Sequence, residues 1–167
     1  LGELQTYASS GGHGPKGTHN LNESILRTLM AKAFLYQITG TQIYAYDCIR
    51  MMKEYMATMK IVEASPDPER NWGYTMFTAA IVYDWCYDLL TEKDKTELIN
   101  GCVNLLGMHL EIVCYNGASN KAPTAQGTMY GHGCEGQLLV EYLSFAIACF
   151  DEAPEIYELV AGRITND

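Results

Sequence analysis

The feature that most constrains this chain is the stretch from Leu138 to Phe150, which is apolar nearly all round and interrupted only by Glu141, Tyr142 and Ser144. A helix of that kind is expected to be buried on most of its sides, so the chain must supply other helices to enclose it. The rest of the sequence does so. From Asn22, Leu26, Leu29, Met30 and Ala33 form one stripe, with Glu23, Arg27 and Lys32 off it. Gly40 marks the end of that helix. In the next segment Tyr44, Cys48, Met51, Tyr55 and Met59 repeat at three- and four-residue spacing, while Asp47, Arg50 and Glu54 mark the wet side. The methionine-rich stripe reads as core filling rather than a cofactor box.

Ser65-Pro66-Asp67-Pro68 breaks the chain. A third helix is expected from about Glu69 to Leu90, through Trp72, Met76, Ala79, Tyr83 and Cys86. Thr91, with Asp94 three residues on, predicts a capping box for a fourth helix carrying Leu98, Cys102, Leu105, His109 and Ile112 inward. His109, on the core stripe, reads as a packed core histidine. The run from Asn116 to Thr124 is a loop by composition, prolonged by Gly127 and Gly131. Pro154 suits the first turn of a sixth helix. No strand pattern competes, so the fold class is all-α, with an irregular arm over residues 1–21 and a helical domain over 22–167. Periodicity alone would equally permit a bundle or a helical repeat array, although no repeat period is evident.

Composition excludes several roles. A net charge of -9 opposes nonspecific nucleic-acid binding, which relies on Lys and Arg neutralising phosphates. It also repels polyanions at long range unless cationic groups gather in a cleft. No apolar run is long enough to span a bilayer and no signal sequence is present, so no membrane partner is expected and the chain reads as soluble and already trimmed. The six cysteines, Cys48, Cys86, Cys102, Cys114, Cys134 and Cys149, lack C-x-x-C spacing and are expected to be buried thiols rather than zinc ligands. His13 and His19 lie in a glycine-rich loop without ligands at metal spacing, so no metal or cofactor is expected.

Two neighbourhoods set polar groups beside aromatics where side chains can face a cleft: Asn71-Trp72-Gly73-Tyr74 and Tyr130-Gly131-His132-Gly133-Cys134-Glu135-Gly136-Gln137. His132 and Glu135, three apart at a helix start, would project on one face; the competing reading is that they cap the helix and fill a polar gap. Trp72 and Tyr74 offer apolar faces to sugar rings and Asn71 a hydrogen bond, with Trp72 equally suited to the core.

The Tyr130 to Gln137 segment with its apolar helix, together with Tyr83-Asp84-Trp85-Cys86-Tyr87-Asp88-Leu89-Leu90-Thr91 and Asp151-Glu152-Ala153-Pro154-Glu155, resembles the toroid domain of heparinase II/III-like polysaccharide lyases. The resemblance covers residues 70 to 163. It implies part of an (α/α) toroid and β-elimination on an acidic polysaccharide containing uronic acids. It further implies a periplasmic or secreted site and open toroid edges covered by self-association or by a missing half. Such an enzyme neutralises the uronate carboxylate before a base removes the C5 proton and an acid protonates the leaving oxygen. His132 would be the neutralising group and Glu135 its partner, with Asn71, Trp72, Tyr74, Tyr130 and Gln137 holding substrate. The family's catalytic tyrosine follows the neutralising residue, which puts it beyond Asp167 and leaves this fragment inactive alone; Tyr130 precedes His132 and does not match that order. Two further readings remain open: a non-catalytic glycan-binding or scaffold module, and an (α/α)-barrel glycoside hydrolase. The latter would require a carboxylate partner for Glu135 among Asp84, Asp88 and Glu141, which read as surface or gap-filling groups.

Overall fold

The computed structural model describes residues 22–59, 68–109 and 134–166, with side chains given outside 68–72, 104–109, 134–139, 163, 164 and 166. All regular structure among the described residues is helical: α1 (Glu23–Thr39), α2 (Gln42–Thr58), α3 (Pro68–Trp85), a 3-10 turn (Tyr87–Leu89), α4 (Glu92–His109), α5 (Cys134–Ala148) and α6 (Pro154–Asn166). None of these helices is long and apolar enough to cross a membrane.

Local signals set the boundaries. Asn22 caps α1 by accepting the Ile25 N–H at 3.2 Å, and Gly40 ends it at φ 67, donating its N–H to the Tyr36 carbonyl at 2.8 Å. An L side chain is disfavoured at that φ, which is why glycine stands there. The expected capping box closes completely. Thr91 Oγ1 accepts the Asp94 N–H at 3.1 Å, and Asp94 Oδ2 accepts the Thr91 N–H at 3.0 Å. Pro154 opens α6 as anticipated. The third helix, expected to reach Leu90, stops at Trp85 instead. Cys86 leaves helical geometry at φ -108 and ψ 14, and the 3-10 turn that follows still carries Leu90 back into the core.

The helices form three antiparallel hairpins stacked in two layers, with α1, α3 and α5 in one layer and α2 and α4 backing it. Helix α3 packs most extensively on α5 and also on α1. All three helices of the first layer run in the same direction. At their C-terminal ends, Gln37 Nε2 donates to the Trp85 carbonyl and Tyr87 Oη donates to Glu152 at 2.6 Å. At the opposite end the Asn22 N–H meets Tyr55 Oη at 3.2 Å, and the same hydroxyl also meets Thr75 of α3. Helix α4 crosses α2 closely at Gly101, where a Cβ would stand 2.6 Å from Met56 Cε.

The core is the interior between the layers, with Leu26, Leu29, Ala33, Cys48, Met51, Tyr55, Met76, Ala79, Tyr83, Leu98, Cys102 and Phe145 in one cluster. Cys48, Cys86, Cys102 and Cys149 are buried free thiols, as their helical positions predict. Two expectations fail. Lys32 is not on the wet side but only 5% exposed, and its ammonium bonds the Asp47 carboxylate, which Arg50 also holds at 2.7 Å. Position 32 follows the buried Ala31 around α1, and a carboxylate on α2 lies within reach to pair with it. Helix α5 is not enclosed on most sides: Val140 and Ile147 are 56% and 57% exposed, because α5 meets α3 and α6 and leaves its third side open.

The Lys32–Asp47 pair generates a prediction. Asp47→Asn should leave a buried ammonium without a charged partner and cost about 2–3 kcal/mol in urea unfolding. Lys32→Met, which removes the charge that needs the partner, should cost less than about 1 kcal/mol. Equal losses would show that the pair matters through packing rather than charge.

Candidate functional site

The two outward faces of the array differ in character. Over α2 and α4 the surface carries ion pairs, Arg50–Glu54 at 2.8 Å, Lys53–Glu97 at 2.9 Å and Lys93–Glu97 at 3.7 Å, with Ile43 and Tyr46 as exposed apolar exceptions. Over α1, α3 and α5 it is mainly apolar and aromatic, with the exposed Arg27–Glu23 ion pair at 2.8 Å on α1 as a charged exception. Phe34 and Ile38 lie on α1; Tyr74, Phe77, Ile81 and Trp85 recur at helical spacing on α3; Val140, Ser144 and Ile147 do so on α5. The Phe34 and Trp85 rings join α1 to α3 at 6.0 Å.

A groove runs between α3 and α5 on this face. Its upper part, about 270 Å³, is lined by Phe77, Ala80, Ile81, Asp84, Trp85, Ser144, Ile147 and Ala148. Its lower part, about 650 Å³, shares Asp84, Ile147 and Ala148 and adds Tyr87, Phe150, Asp151 and Tyr157. Concave surfaces of this size with aromatic walls and few polar groups suit a small ligand or one end of a polymer.

Below the groove the turns of the second and third hairpins are tied together. Lys95 Nζ donates to Glu152 Oε1 at 2.8 Å and to Tyr87 Oη at 3.0 Å, and it lies 4.2 Å from the Tyr87 ring centre. Burial pushes the Glu152 carboxyl up, but the Lys95 ammonium and the Tyr87 hydroxyl outweigh it and hold the group below its ordinary range. The bonds to Glu152 and Tyr87 raise the Lys95 pKa in turn. Behind them, burial and then the nearby Glu152 carboxylate push the Tyr83 phenol well up. Tyr83 Oη and Glu152 Oε2 are both buried, the phenol within reach of the Glu152 carboxylate but neither atom completing a well-formed hydrogen bond among the described residues.

Of the residues singled out in the sequence, Tyr74 alone has a described side chain, and it lines neither part of the groove. Tyr74 is half-buried on the α3 stripe, three residues above Phe77, where it borders the open face and also packs against the core. Positions 71 and 72, Asn71 and Trp72, lie in the opening turns of α3; Glu135 and Gln137 lie in the first turn of α5; the side chains of these four are outside the described set. Tyr130 and His132 lie outside the described residues altogether, as do His13 and His19. Because α3 and α5 run side by side in one direction, their opening turns, far apart in sequence, stand at the same end of neighbouring helices. Helix N-termini present partial positive charge and unpaired N–H groups, so that end favours an anion.

Two carboxylates change standing. Asp84 is exposed in the lower groove beside Ile147, twelve residues along α5 from Glu135, a separation of about 18 Å at 1.5 Å per residue. Glycosidase carboxylate pairs stand about 5–9.5 Å apart, so Asp84 is no partner for Glu135. Glu141 is neither a surface group nor a satisfied gap-filler. It is half-buried, its Oε2 has no partner among the described residues, and burial pushes its pKa up to about 7. No sequence signal separates it from an ordinary surface glutamate, because its burial comes from the packing around it. Among the described residues no cluster of His, Cys, Asp and Glu could hold a metal.

No family profile and no curated protein matches the chain.

Glu141 sets a pH dependence. Its folded pKa stands above the unfolded value, so its contribution is fully present below about pH 4.5 and is lost as pH rises through about 7. Glu141→Gln should therefore leave stability unchanged at acid pH and raise it at pH 8 by about 1–2 kcal/mol, a figure reduced for partial solvent screening. A thermal-melt series in which the variant and the parent keep the same pH slope would show that the carboxylate is solvated.

Proposed function

We propose that this chain is part of an (α/α) toroid from a polysaccharide lyase that cleaves uronic acid-containing glycans by β-elimination, with α1, α3 and α5 in the inner ring. The observation that carries the reading is the contrast between faces: ion pairs over α2 and α4, and the upper, aromatic part of the groove between α3 and α5 on the other side. An inner ring that meets sugar rings needs the second kind of surface and an outer ring in water needs the first.

The polarity of the inner layer supports the placement of chemistry. An acidic glycan on a chain of net charge -9 needs a local positive region, and the shared N-terminal end of α3 and α5 supplies one. Glu135 lies in the opening turn of α5, with His132 three residues before it in sequence and outside the described residues, and Asn71, Trp72 and Tyr74 lie in the opening turns of α3. In this reading His132 neutralises the substrate carboxylate, Glu135 orients the histidine or the carboxylate, and Tyr74, Trp72, Asn71, Tyr130 and Gln137 hold the sugar. Lowering the charge on the carboxylate acidifies the C5 proton, which a base then removes while an acid protonates the departing oxygen. The periplasm or cell exterior, where such polymers occur, is the matching location. The open third side of α5 is the edge that further toroid helices, or a second copy, would cover.

The test is uronate-polymer cleavage by the full-length parent of this fragment, followed by the ultraviolet absorbance of the unsaturated product. His132→Ala should lower kcat by at least about 100-fold, the scale of removing one charge-stabilising group. Tyr74→Ala should raise KM about tenfold with a smaller change in kcat, as expected for a sugar-stacking ring. Equal turnover by wild type and His132→Ala would sink the assignment. Binding of uronate oligomers without turnover by either would favour a glycan-binding module instead, a reading that the groove alone also satisfies.

A further inference from the structure

The lower groove has a chemistry that the proposed lyase reaction does not use. Phe150 and Tyr157 meet edge to face, with centroids 5.4 Å apart and planes at 90°, forming an aromatic corner; they are 47% and 37% exposed. Tyr87 closes a third side, its ring fixed by the bonds of its hydroxyl to Glu152 and Lys95. Such a wall requires little ordering when a ligand arrives. Ile147 and Ala148 give an apolar lining.

Its charges all have one sign. Asp84 and Asp151 line the cavity, both are exposed, and neither has an ion pair or hydrogen bond among the described residues. Among the described residues no cationic side chain lines it. Helices α3 and α5 both end there, at Trp85 and Ala148, so the partly negative carbonyl ends of two parallel helices add to the two carboxylates. The protein already demonstrates the affinity of this neighbourhood for ammonium: Lys95 Nζ lies over the Tyr87 ring, with its charge taken up by Glu152 at 2.8 Å and Glu92 at 3.4 Å.

We propose that this cavity is a binding site for an organic ammonium ion, with the aromatic corner and Tyr87 around the cationic head and Asp84 and Asp151 supplying the counter-charge. Aromatic faces attract a cation through their quadrupole, most strongly when it carries N-alkyl groups that are weakly hydrated. Nearby carboxylates add attraction over the distance of a Debye length. An anionic ligand meets the two carboxylates here, a repulsion that the N-terminus of α6, whose first turn carries Tyr157, offsets only in part. At about 650 Å³ the space exceeds a single ammonium head and accommodates an organic body attached to it. The inference stands apart from the lyase reading, since it concerns the opposite end of the groove and none of His132, Glu135 or Tyr74.

Titration of the whole chain by calorimetry or NMR, with choline, with ethanolamine and with 3,3-dimethylbutan-1-ol, tests it. The last has the shape of choline without the charge. Choline should bind saturably and the neutral isostere about tenfold more weakly or not at all, the scale of a cation–π and charge contribution. Choline tighter than ethanolamine marks the rings as the main contact, and the reverse order marks the carboxylates; either supports an ammonium site. The Asp84→Asn, Asp151→Asn double variant should lose about tenfold in affinity and Phe150→Leu several-fold, as removal of the counter-charge and of one ring requires. These are surface positions, so circular dichroism melts of the variants should match the parent. Equal binding of the neutral isostere, an unaffected double variant, or no saturable binding of either ammonium overturns the proposal.

Discussion

Helix α3 has to satisfy two neighbours of its own layer and a second layer behind it, and the rest of the structure follows from how it does so. Its inner face presents Met76, Ala79, Val82 and Tyr83, all buried completely. Burying side chains the size of Met, Val or Tyr contributes about 1.5–3 kcal/mol each, and the small Ala79 and Ala80 let neighbouring backbones come near. Tyr83 meets Phe145 of α5 edge to face at 6.2 Å, and Trp85 meets Phe34 of α1 at 6.0 Å. These contacts tie the C-terminal halves of all three helices to the same level. With hairpin turns joining each of them to a returning helix, the three must run in one direction.

That alignment gives the inner layer an electrical direction. Three helix N-termini gather at one end and three C-termini at the other. Helices α2 and α4 oppose this field from behind the core, and α6 opposes it at the lower groove, which its first turn reaches through Tyr157. Along the open face the N-terminal end of α3 and α5 favours anions, and the exposed Asp84 and Asp151 set the sign of the lower groove. Tyr74 and Asp84, ten residues apart on α3, lie about 15 Å from each other along this gradient. The carboxylate proposed for the upper end and the ammonium proposed for the lower would both answer to this arrangement, and the Lys95–Glu152–Tyr87 tie links the elements of the lower end.

The local elements were legible in the amino-acid order. The Asn22 and Thr91 caps, the left-handed Gly40, the Pro154 start and the stripes through Leu26, Met51, Tyr83 and Leu98 follow from short-range sterics and from helical spacing, which any segment carries within itself. Tyr74 was legible as a candidate because an aromatic near a helix start is conspicuous. Tyr87, Phe150, Asp151 and Tyr157 were not, since they belong to different elements and no spacing links them.

What the sequence determined by itself was the class: helices joined as hairpins, with buried thiols and a net negative charge. Only the tertiary structure decided that Lys32 is buried on Asp47, that Glu141 holds a half-buried carboxylate near neutral pKa, and that the apolar helix α5 keeps one side open. The physical reason is range. Caps and stripes depend on neighbours within about four residues, whereas burial, pKa and the shape of a groove depend on which distant helix lies alongside, a choice settled by packing among all the helices together.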